Sequence, residues 1–443
     1  MNRRWRAAGW VFLLVALPRL AYLLIARPAF SGIYWALSEG LLRDGSLAID
    51  RRRTTDFEPL YPIFLAVSRT IVRHDAFLVQ LLQVAVAAAG GICFYYLTAR
   101  LTGRPRTALL AAALYAASPL LVRQAVVLSD SALVTTLLIA FAGAFAGATT
   151  VAGAALAGFW LGLAVLTRTV ALPLVALGTV LLISDGRHRA ALTLFVIAMA
   201  LVLPLPIRNH LVNGSTWPTR SGLNLFAGNS TYTSALLPDH TLDTLREQAA
   251  SVVDARLPHS STIAPESVEH VVDTLLTQEA IAYIAAHPIQ TMRQKALNVL
   301  YFFSPRLVPY RIATPETRLV NGVDGKISVE HTEPRPLVEV IVYAASSSVV
   351  LVCAMAGIYF RRRCLSRDAV LWCIALTFVA VNVMYVPATR YRAPMEFVLL
   401  FYAAVGLEEF SGHSRDLFQR VRNWRLFFAA SRATAAYRRT STG

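Results

Sequence analysis

Charged side chains are scarce in this sequence, because only 15% of its 443 residues are Asp, Glu, Lys or Arg. A soluble domain carries roughly 25% charged residues. Hydrophobic residues make up 56% of the chain. This deficit of charge excludes an ordinary soluble domain and predicts a protein embedded in a membrane.

Lysine is nearly absent, since Lys295 and Lys326 are the only two, and Arg carries almost all of the net charge of +16. Such an excess of positive charge can indicate a nucleic-acid-binding protein. Here the basic residues lie mostly in short loops between apolar runs, where they act as topology signals for a membrane protein. We therefore expect no nucleic-acid partner.

Cysteine offers neither a disulfide framework nor a metal-binding spacing. The four cysteines lie in or beside apolar segments: Cys93, Cys353, Cys364 and Cys373. In such surroundings a cysteine behaves as a small hydrophobic residue.

Long apolar runs dominate the rest of the chain. A spanning helix needs roughly 20 apolar residues, and about ten candidate segments follow from that length. They are residues 8–26, 76–98, 106–122, 129–148, 151–167, 169–184, 190–207, 337–360, 368–387 and 393–409. The first could be a signal peptide, but no small-residue cleavage site follows it and further spans come after it.

The arginines of the short loops predict the orientation of these spans. With the N-terminus inside, the inner arginines are Arg3, Arg4, Arg6, Arg100, Arg104, Arg106, Arg187, Arg189, Arg361, Arg362, Arg363 and Arg367, and the basic tail after Phe410 also lies inside. The outer segments are then 27–75, 119–128, the turn near Arg168, 208–336 and 387–392. The prediction is a multi-pass protein with both termini in the cytoplasm.

The predicted fold is an all-α polytopic core with a small extracytoplasmic domain. Its parts are a transmembrane core at 1–207 with the outer loop 27–75, an outer domain at 208–336, C-terminal spans at 337–410 and a basic tail at 411–443. In the outer domain we expect helices near 242–256, 266–286 and 289–303.

Two short amphipathic stretches flank this core. "SGIYWALSEGLL" in the first outer loop has Ile33, Leu37 and Leu41 at helical spacing, which predicts a short helix at the membrane interface. "RDLFQRVRNWRLFF" in the tail is typical of a basic helix on the inner leaflet, or of a plain topology anchor.

Polar residues gather where the predicted spans end on the outer side. They are Asp56, Glu58, Arg123, Asp130, Arg168, Arg208, Asn209, Arg390 and Arg392. Ionisable groups at membrane depth are rare and are candidates for function. Each arginine could instead extend its guanidinium to lipid headgroups. That alternative is weaker for the group, because acids accompany the outer arginines and the inner ends show no similar acidic partners.

An outer acid beside several arginines suits transfer of a sugar from a lipid-linked phosphate. The lipid phosphate is a good leaving group, and arginines can stabilise its charge as the bond breaks. A carboxylate can accept the proton of the attacking hydroxyl. In-line attack inverts the anomeric carbon, and this chemistry requires neither a metal nor a cofactor.

Several motifs in order make the chain resemble the GT-C glycosyltransferases, specifically bacterial relatives of protein O-mannosyltransferases and lipid A aminoarabinose transferases. The motifs lie within residues 10–410: "EPLYPIFLA" at 58–66, "AALYAASPLLVRQAVVLSDSAL" at 112–133, "GLAVLTRTVALPLV" at 162–175, "LPLPIRNHLVNG" at 203–214, "SGLNLFAGN" at 221–229, "AIAYIAAHPIQTMRQKALNVLYFFSP" at 280–305 and "RYRAPMEFVLL" at 390–400. Each motif alone is weak, but together their order is specific for the superfamily.

The resemblance implies a polyprenyl-phosphate sugar donor, a catalytic carboxylate in the first outer loop and an active site outside the bacterial inner membrane. It implies that Arg168, Arg208, Arg390 and Arg392 face the donor phosphate, and Arg123 is a further candidate. Asp130 matches a position where relatives often keep an acid. Asn224 and Asn229 lie in the outer loop after the seventh predicted span, and Asn224 is a candidate sugar or acceptor contact.

One position departs from the pattern of these relatives. They commonly have an aspartate shortly before a Tyr in the first loop, where this sequence has Ser31. Serine is not a base at neutral pH without activation. Asp56 and Glu58 are the nearest substitutes, and Asp44 and Asp50 are weaker ones because they lie in an Arg-rich stretch that favours surface pairing.

The structural alternatives for these residues stay open. Pro59 restricts Glu58 to extended geometry, and Glu58 could simply pair or cap. Asp130 could be the N-cap of the helix that follows it. Tyr61 could stack on the sugar or belong to an interfacial aromatic belt.

Three functions compete at this stage. The first is a glycosyltransferase acting on an extracytoplasmic glycan, lipid or protein. The second is a lipid or solute transporter or flippase, which predicts charges or broken helices in mid-membrane and inverted repeats. The third is an accessory subunit that kept the fold and lost its base at Ser31. The sugar, the acceptor and the oligomeric state do not follow from the sequence.

Overall fold

The computed structural model describes residues 3–26, 32–238, 242–257, 267–310, 318–321, 327–330 and 337–411. Side chains are not described at 3–4, 235–236, 242–247, 318–321 and 327–330. Ser31, Lys326 and the predicted basic helix of the tail lie outside the described residues.

Helices make up almost all of the described chain. In the first half they are α1 (Arg3–Ala26), α2 (Gly32–Asp44), α3 (Leu60–Ile71), α4 (Ala76–Thr102), α5 (Pro105–Ala117), α6 (Pro119–Val126), α7 (Ser131–Phe145), α8 (Val151–Thr167), α9 (Pro173–Ser184), α10 (His188–Val202) and α11 (Pro204–Asn213). A 3₁₀ turn at Thr169–Ala171 precedes α9.

The second half contains the predicted outer domain and the last spans. Its helices are α12 (Ser221–Gly228), α13 (Thr233–Leu236), α14 (Leu242–Arg256), α15 (Val268–Ala286), α16 (Pro288–Phe302), α17 (Leu337–Arg361), α18 (Ala369–Met384) and α19 (Thr389–Arg392), with 3₁₀ turns at Arg362–Cys364 and Ala393–Met395. Residues 396–411 form the final helix, α20. The three helices predicted near 242–256, 266–286 and 289–303 are confirmed as α14, α15 and α16.

Only four short strands accompany these helices in the part of the chain that the structure describes. Strands β1 (Ala48–Ile49) and β2 (Arg52–Arg53) form an antiparallel hairpin in the first outer loop. Strands β3 (Arg318–Asn321) and β4 (Ile327–Glu330) form a second one. The prediction of an all-α fold is therefore confirmed.

Helix α4 shows how local sequence sets the limits of a span. The Asp75 side chain accepts a hydrogen bond of 3.1 Å from the backbone N–H of Leu78, which caps the first turn. Gly103 ends the helix in the left-handed conformation at φ 70°. Between them lies an apolar run long enough to cross a bilayer.

All ten predicted spans are helical over most of their length, which confirms a multi-pass helical protein. Four helices in the described part are long and apolar enough to cross a membrane singly: Trp5–Ala26, Ala76–Thr102, His188–Asn213 and Leu337–Cys364. The pair α5–α6 makes a fifth if it counts as one span. Several of the other predicted spans contain apolar helices of only 10–17 residues. Hydropathy alone does not show where a turn shortens a helix, so the sequence did not predict these lengths.

The predicted span at 106–122 is not one straight helix. It bends by 58° between α5 and α6. Pro119 lacks a backbone N–H and its ring would clash with the carbonyl four residues earlier, so the helix stops at Ser118. The buried guanidinium of Arg19 donates to the carbonyls of Tyr115 (3.2 Å) and Ala116 (3.5 Å), which the break leaves without helical partners.

Several of the arginines that were predicted to be inner lie together at one end of the bundle. Arg361 donates to the carbonyl of Leu101 at 3.3 Å, and Arg367 donates to that of Arg100 at 3.3 Å. The expectation that this end has no acidic partners is wrong. Asp368 forms an ion pair of 2.5 Å with Arg361, and Glu408 and Glu409 at the end of α20 pair with Arg104.

The predicted outer domain has a small core of its own. Helices α12, α14 and α15 pack around Phe226, Ala249, Leu276 and Ala280. The short helix predicted in the first loop is confirmed as α2. Its Leu37 is buried against Leu47 and Phe57, whereas Ile33 is 41% exposed.

Candidate functional site

The loop at 54–58 is held in place by hydrogen bonds from the outer domain and from α11. Arg208 donates to the carbonyl of Thr54 at 2.6 Å and to the Asn209 side chain at 2.9 Å. The backbone N–H of Thr55 donates to Glu269 on α15 at 3.0 Å. Arg208 was predicted to face the donor phosphate, and the structure instead places its guanidinium against the loop.

Asp56 is half-buried inside this network. It accepts one side-chain hydrogen bond, of 2.8 Å, from the Thr219 hydroxyl. Burial raises the pKa of the Asp56 carboxyl, and the nearby carboxylate of Glu269 raises it further. An acid whose carboxylate form is disfavoured accepts a proton more readily, as a catalytic base must.

Glu58 lies two residues further along and has a different set of contacts. One of its carboxylate oxygens accepts hydrogen bonds of 2.8 Å from both the backbone N–H and the hydroxyl of Thr169. This is a capping arrangement for the 3₁₀ turn at Thr169–Ala171. Burial raises the pKa of Glu58, and the two bonds from Thr169 partly oppose this rise.

Asp130 pairs with Arg168 through two parallel hydrogen bonds. Nε of Arg168 donates to one carboxylate oxygen at 2.9 Å and a terminal nitrogen donates to the other at 2.5 Å. The prediction that Asp130 caps the next helix is wrong, since its side chain makes no capping bond. The fork geometry of guanidinium and carboxylate favours this pair over a cap.

Arg390 and Arg392, the last two predicted phosphate-binding arginines, differ in burial. Arg392 is buried and donates to Glu396 (2.8 Å), the Tyr343 hydroxyl (2.8 Å) and Ser347 (3.0 Å), and also to two backbone carbonyls. Its donors are therefore used in joining α16, α17 and α20. Arg390 is exposed and donates to the Tyr391 hydroxyl at 3.0 Å.

Three further residues of the predicted site, Tyr61, Arg123 and Asn224, have surroundings of their own. Tyr61 is 1% exposed and its hydroxyl donates to Gln83 at 2.7 Å, so its ring offers no surface to a sugar or to lipid headgroups. Arg123 lies 3.7 Å from Glu339 of α17. Asn224 is half-buried on α12, one turn after Arg220.

Arg220 was missing from the sequence prediction, although it directly precedes the motif at 221–229. Its guanidinium lies 4.7 Å from the centre of the Phe57 ring, between the two candidate acids in sequence. The Arg220 guanidinium makes no hydrogen bond or ion pair with the described residues. Its other interactions are this ring contact and longer-range charge interactions. Asp56, Tyr34 and Tyr391 all feel its positive charge.

Two tyrosines complete the surroundings of Arg220. Burial alone would raise the pKa of Tyr391, but the positive charges of Arg390, Arg220 and Arg168 together lower it. Burial and the charges of Asp130 and Glu58 raise the pKa of the Tyr34 hydroxyl. Both hydroxyls therefore lie within the electrostatic reach of acids and arginines from distant parts of the chain.

No group of three acids, histidines or cysteines in the described residues has the geometry of a metal site. The arrangement that remains is a half-buried carboxylate near an arginine that no acid neutralises, with Arg390 and Tyr391 on the same side. Such a set can bind an anion and accept a proton without a metal.

A family model described as dolichyl-phosphate-mannose-protein mannosyltransferase matches residues 56–208. The archaeal oligosaccharyltransferase AglB of Archaeoglobus fulgidus, solved with an inhibitory peptide and a dolichol-phosphate, has a similar structure, with a TM-score of 0.50 and 14% identity. That similarity covers 94% of this chain and 51% of AglB. The chain has the GT-C fold.

This chain thus spans about half the length of that GT-C structure. ArnT of Cupriavidus metallidurans, solved with undecaprenyl phosphate, is similar with a TM-score of 0.42 and 16% identity, over 90% of this chain and 78% of ArnT. No curated protein sequence matches the chain significantly. The GT-C resemblance predicted from the sequence motifs is confirmed.

Proposed function

We propose that this protein is a membrane glycosyltransferase that transfers a sugar from a polyprenyl-phosphate donor to an acceptor outside the inner membrane of a bacterium. The GT-C fold supports this proposal, and so does the match of the mannosyltransferase family model to residues 56–208. The match begins at Asp56 and includes the loop of the candidate site. In the proposed reaction the acceptor oxygen attacks the anomeric carbon, the bond to the lipid phosphate breaks, and the configuration inverts.

The observation that carries the proposal is the Arg220 guanidinium, which lies 4.7 Å from the centre of the Phe57 ring and within electrostatic reach of Asp56. The phosphate that leaves with the lipid gains negative charge, and an arginine that no acid neutralises can stabilise it. Asp56 takes the proton of the attacking hydroxyl, because its raised pKa favours proton uptake and, within the described part of the chain, Thr219 alone donates to its side chain.

The other predicted residues receive supporting roles in this proposal. Arg390, which donates to the Tyr391 hydroxyl, contributes positive charge near the site. Glu58 holds the turn that carries Arg168, and the pair of Arg168 with Asp130 fixes the positions of α7 and α8. Arg208 and Arg392 position backbone segments rather than the phosphate.

The first test of this proposal measures release of polyprenyl phosphate by detergent-purified protein supplied with a panel of polyprenyl-phosphate sugars. Arg220→Ala should lower kcat/KM for the donor about 10²- to 10³-fold, the usual cost of one lost oxyanion contact. Arg220→Lys should restore part of this loss, because it keeps the charge and loses the fork. Arg256→Ala removes an exposed arginine of the outer domain and should change nothing.

The second arm tests the base. Asp56→Asn should abolish turnover with little change in donor binding, whereas Asp254→Asn on the exposed side of α14 should be active. If Glu58→Gln abolishes turnover and Asp56→Asn does not, Glu58 is the base. Full activity of Arg220→Ala would overturn the phosphate-binding role of Arg220.

A further inference from the structure

Helix α16 turns two polar side chains, Lys295 and Asn298, toward the protein. Lys295 donates to the carbonyls of Gly228 and Met384, at 2.8 Å in both cases. Asn298 donates to the carbonyl of Val383 at 2.9 Å. These carbonyls lie at the ends of α12 and α18, where a helix leaves its last carbonyls without partners. The polar face of α16 thus completes the hydrogen bonding of two other helices.

The opposite face of α16 is apolar and exposed. Ile289, Met292 and Leu300 are 81%, 72% and 66% exposed, and Val299 lies beside them. The spacing of these residues places them along one side of a helix. A helix at a protein–water surface has the reverse arrangement, with its apolar side on the protein. Contact with water therefore does not explain this face.

Helix α14 of the same outer domain provides the contrast. Its Ala249 is buried and its Val252 packs on the small core, whereas Ser251, Asp254 and Arg256 are exposed. This is the ordinary polarity of a helix between a core and water. Helix α16, which the sequence assigned to the same outer domain, therefore differs from α14 in having its apolar side exposed.

The position of α16 identifies what covers its apolar face. The bonds of Lys295 and Asn298 tie it to the last residues of α18, an apolar helix that was predicted as a span. Met384 at that end of α18 is itself 43% exposed, so the apolar surface continues from one helix to the other. Arg293 is exposed among the apolar residues of α16, where its long side chain can reach lipid headgroups.

We propose that α16 lies in the membrane, at the edge of the leaflet next to the candidate site, and that lipid hydrocarbon covers its Ile289, Met292 and Leu300. An inside-out helix that abuts the end of a span is stable when its apolar face is in contact with lipid chains. The C-terminal end of α16 contacts α19, the short helix that also carries Arg390, because Arg392 donates to the carbonyls of Phe302 and Ser304. The proposal about α16 does not depend on the proposed reaction.

The test uses single-cysteine variants in a background without the four native cysteines, reconstituted in phosphatidylcholine vesicles. Met292→Cys and Leu300→Cys carry a bimane fluorophore, and the vesicles contain phosphatidylcholine brominated on its acyl chains. Leu192→Cys on α10, exposed and within a predicted span, is the control for lipid contact. Ser251→Cys on α14 is the control for water.

We expect brominated lipid to quench the label at 292 and 300 about as strongly as at 192, and a water-soluble quencher to act mainly at 251. Quenching by the water-soluble quencher alone at 292 and 300 would overturn the proposal. Protection from both quenchers would also overturn it and would indicate a protein partner or a second copy. Since the assay needs no donor, its failure is separate from failure of the proposed function.

Discussion

At the scale of single residues, the arginines of the site differ in how many of their donors the protein already uses. Arg392 donates to three side chains and two carbonyls, and Arg168 forms a bidentate pair with Asp130. Among the residues that the structure describes, Arg220 contacts an aromatic ring and no acid. A bound phosphate must compete with the existing partners of an arginine. Unused donors, rather than the presence of arginine, therefore distinguish Arg220.

The acid limb of the pH–kcat/KM profile should reflect the pKa of Asp56. Its carboxylate is the active form, so activity falls as the pH drops through the raised pKa of Asp56. Glu269→Gln removes a negative neighbour, which lowers the pKa of Asp56 and moves the acid limb of the pH–kcat/KM profile to lower pH. Glu279→Gln removes an acid from an exposed ion pair and should leave the profile unchanged. A limb that stays in place for Glu269→Gln would indicate that Asp56 is not the titrating base.

At the scale of elements, the last spans pack through glycines. Gly357 of α17 and Gly406 of α20 lie so close that a Cβ on either would overlap a backbone carbonyl, that of Tyr402 or of Cys353. Small residues allow helix backbones in a membrane to approach in this way. The contact orients α20, whose first turn carries Glu396, the partner of Arg392.

Gly357→Ala should therefore lower the free energy of unfolding by about 1–3 kcal/mol, the usual cost of overpacking. The measurement is thermal unfolding in detergent, followed by intrinsic fluorescence. Gly143→Ala in α7 is the matched control, because nothing lies near the added methyl group there. It should leave the unfolding temperature unchanged or raise it, since alanine favours a helix over glycine. Equal effects of the two variants would contradict the close contact of α17 and α20.

At the scale of the whole molecule, charged residues gather at both ends of the bundle. One end joins Arg100, Arg361 and Arg367 with Asp368, and the other holds the candidate site. The predicted orientation places the site outside the cytoplasm, because arginines in short loops stay inside. Acids occur at both ends of the bundle, so the prediction of orientation depends on the arginines of the short loops and not on the acids.

Cysteine labelling of intact cells tests this orientation. In a background without native cysteines, Trp217→Cys lies in the loop beside the site and should react with a membrane-impermeant maleimide. Asp185→Cys lies in the turn before Arg187, which is predicted to be inside, and should react only after lysis. The reverse pattern would place the candidate site in the cytoplasm and would exclude an extracytoplasmic acceptor.

The sequence by itself determined the class of fold, the order of the apolar helices and the helices of the predicted outer domain. Each of these depends on apolar runs or helical periodicity, which are local properties of the chain. The motif order also indicated the GT-C fold. The break at Ser118 was equally local, but the apolar run across Pro119 concealed it.

Only the tertiary structure decided the roles of the polar residues. Whether an arginine can bind a phosphate depends on which acids and carbonyls other helices bring to it, and those partners are far away in sequence. Arg392 meets Tyr343 and the end of α16, whereas Arg220 meets Phe57 and no acid. For the same reason, the inward polar face of α16 became visible only with α18 beside it. Local sequence sets what each helix is, and packing between distant helices sets which side chains remain free to act.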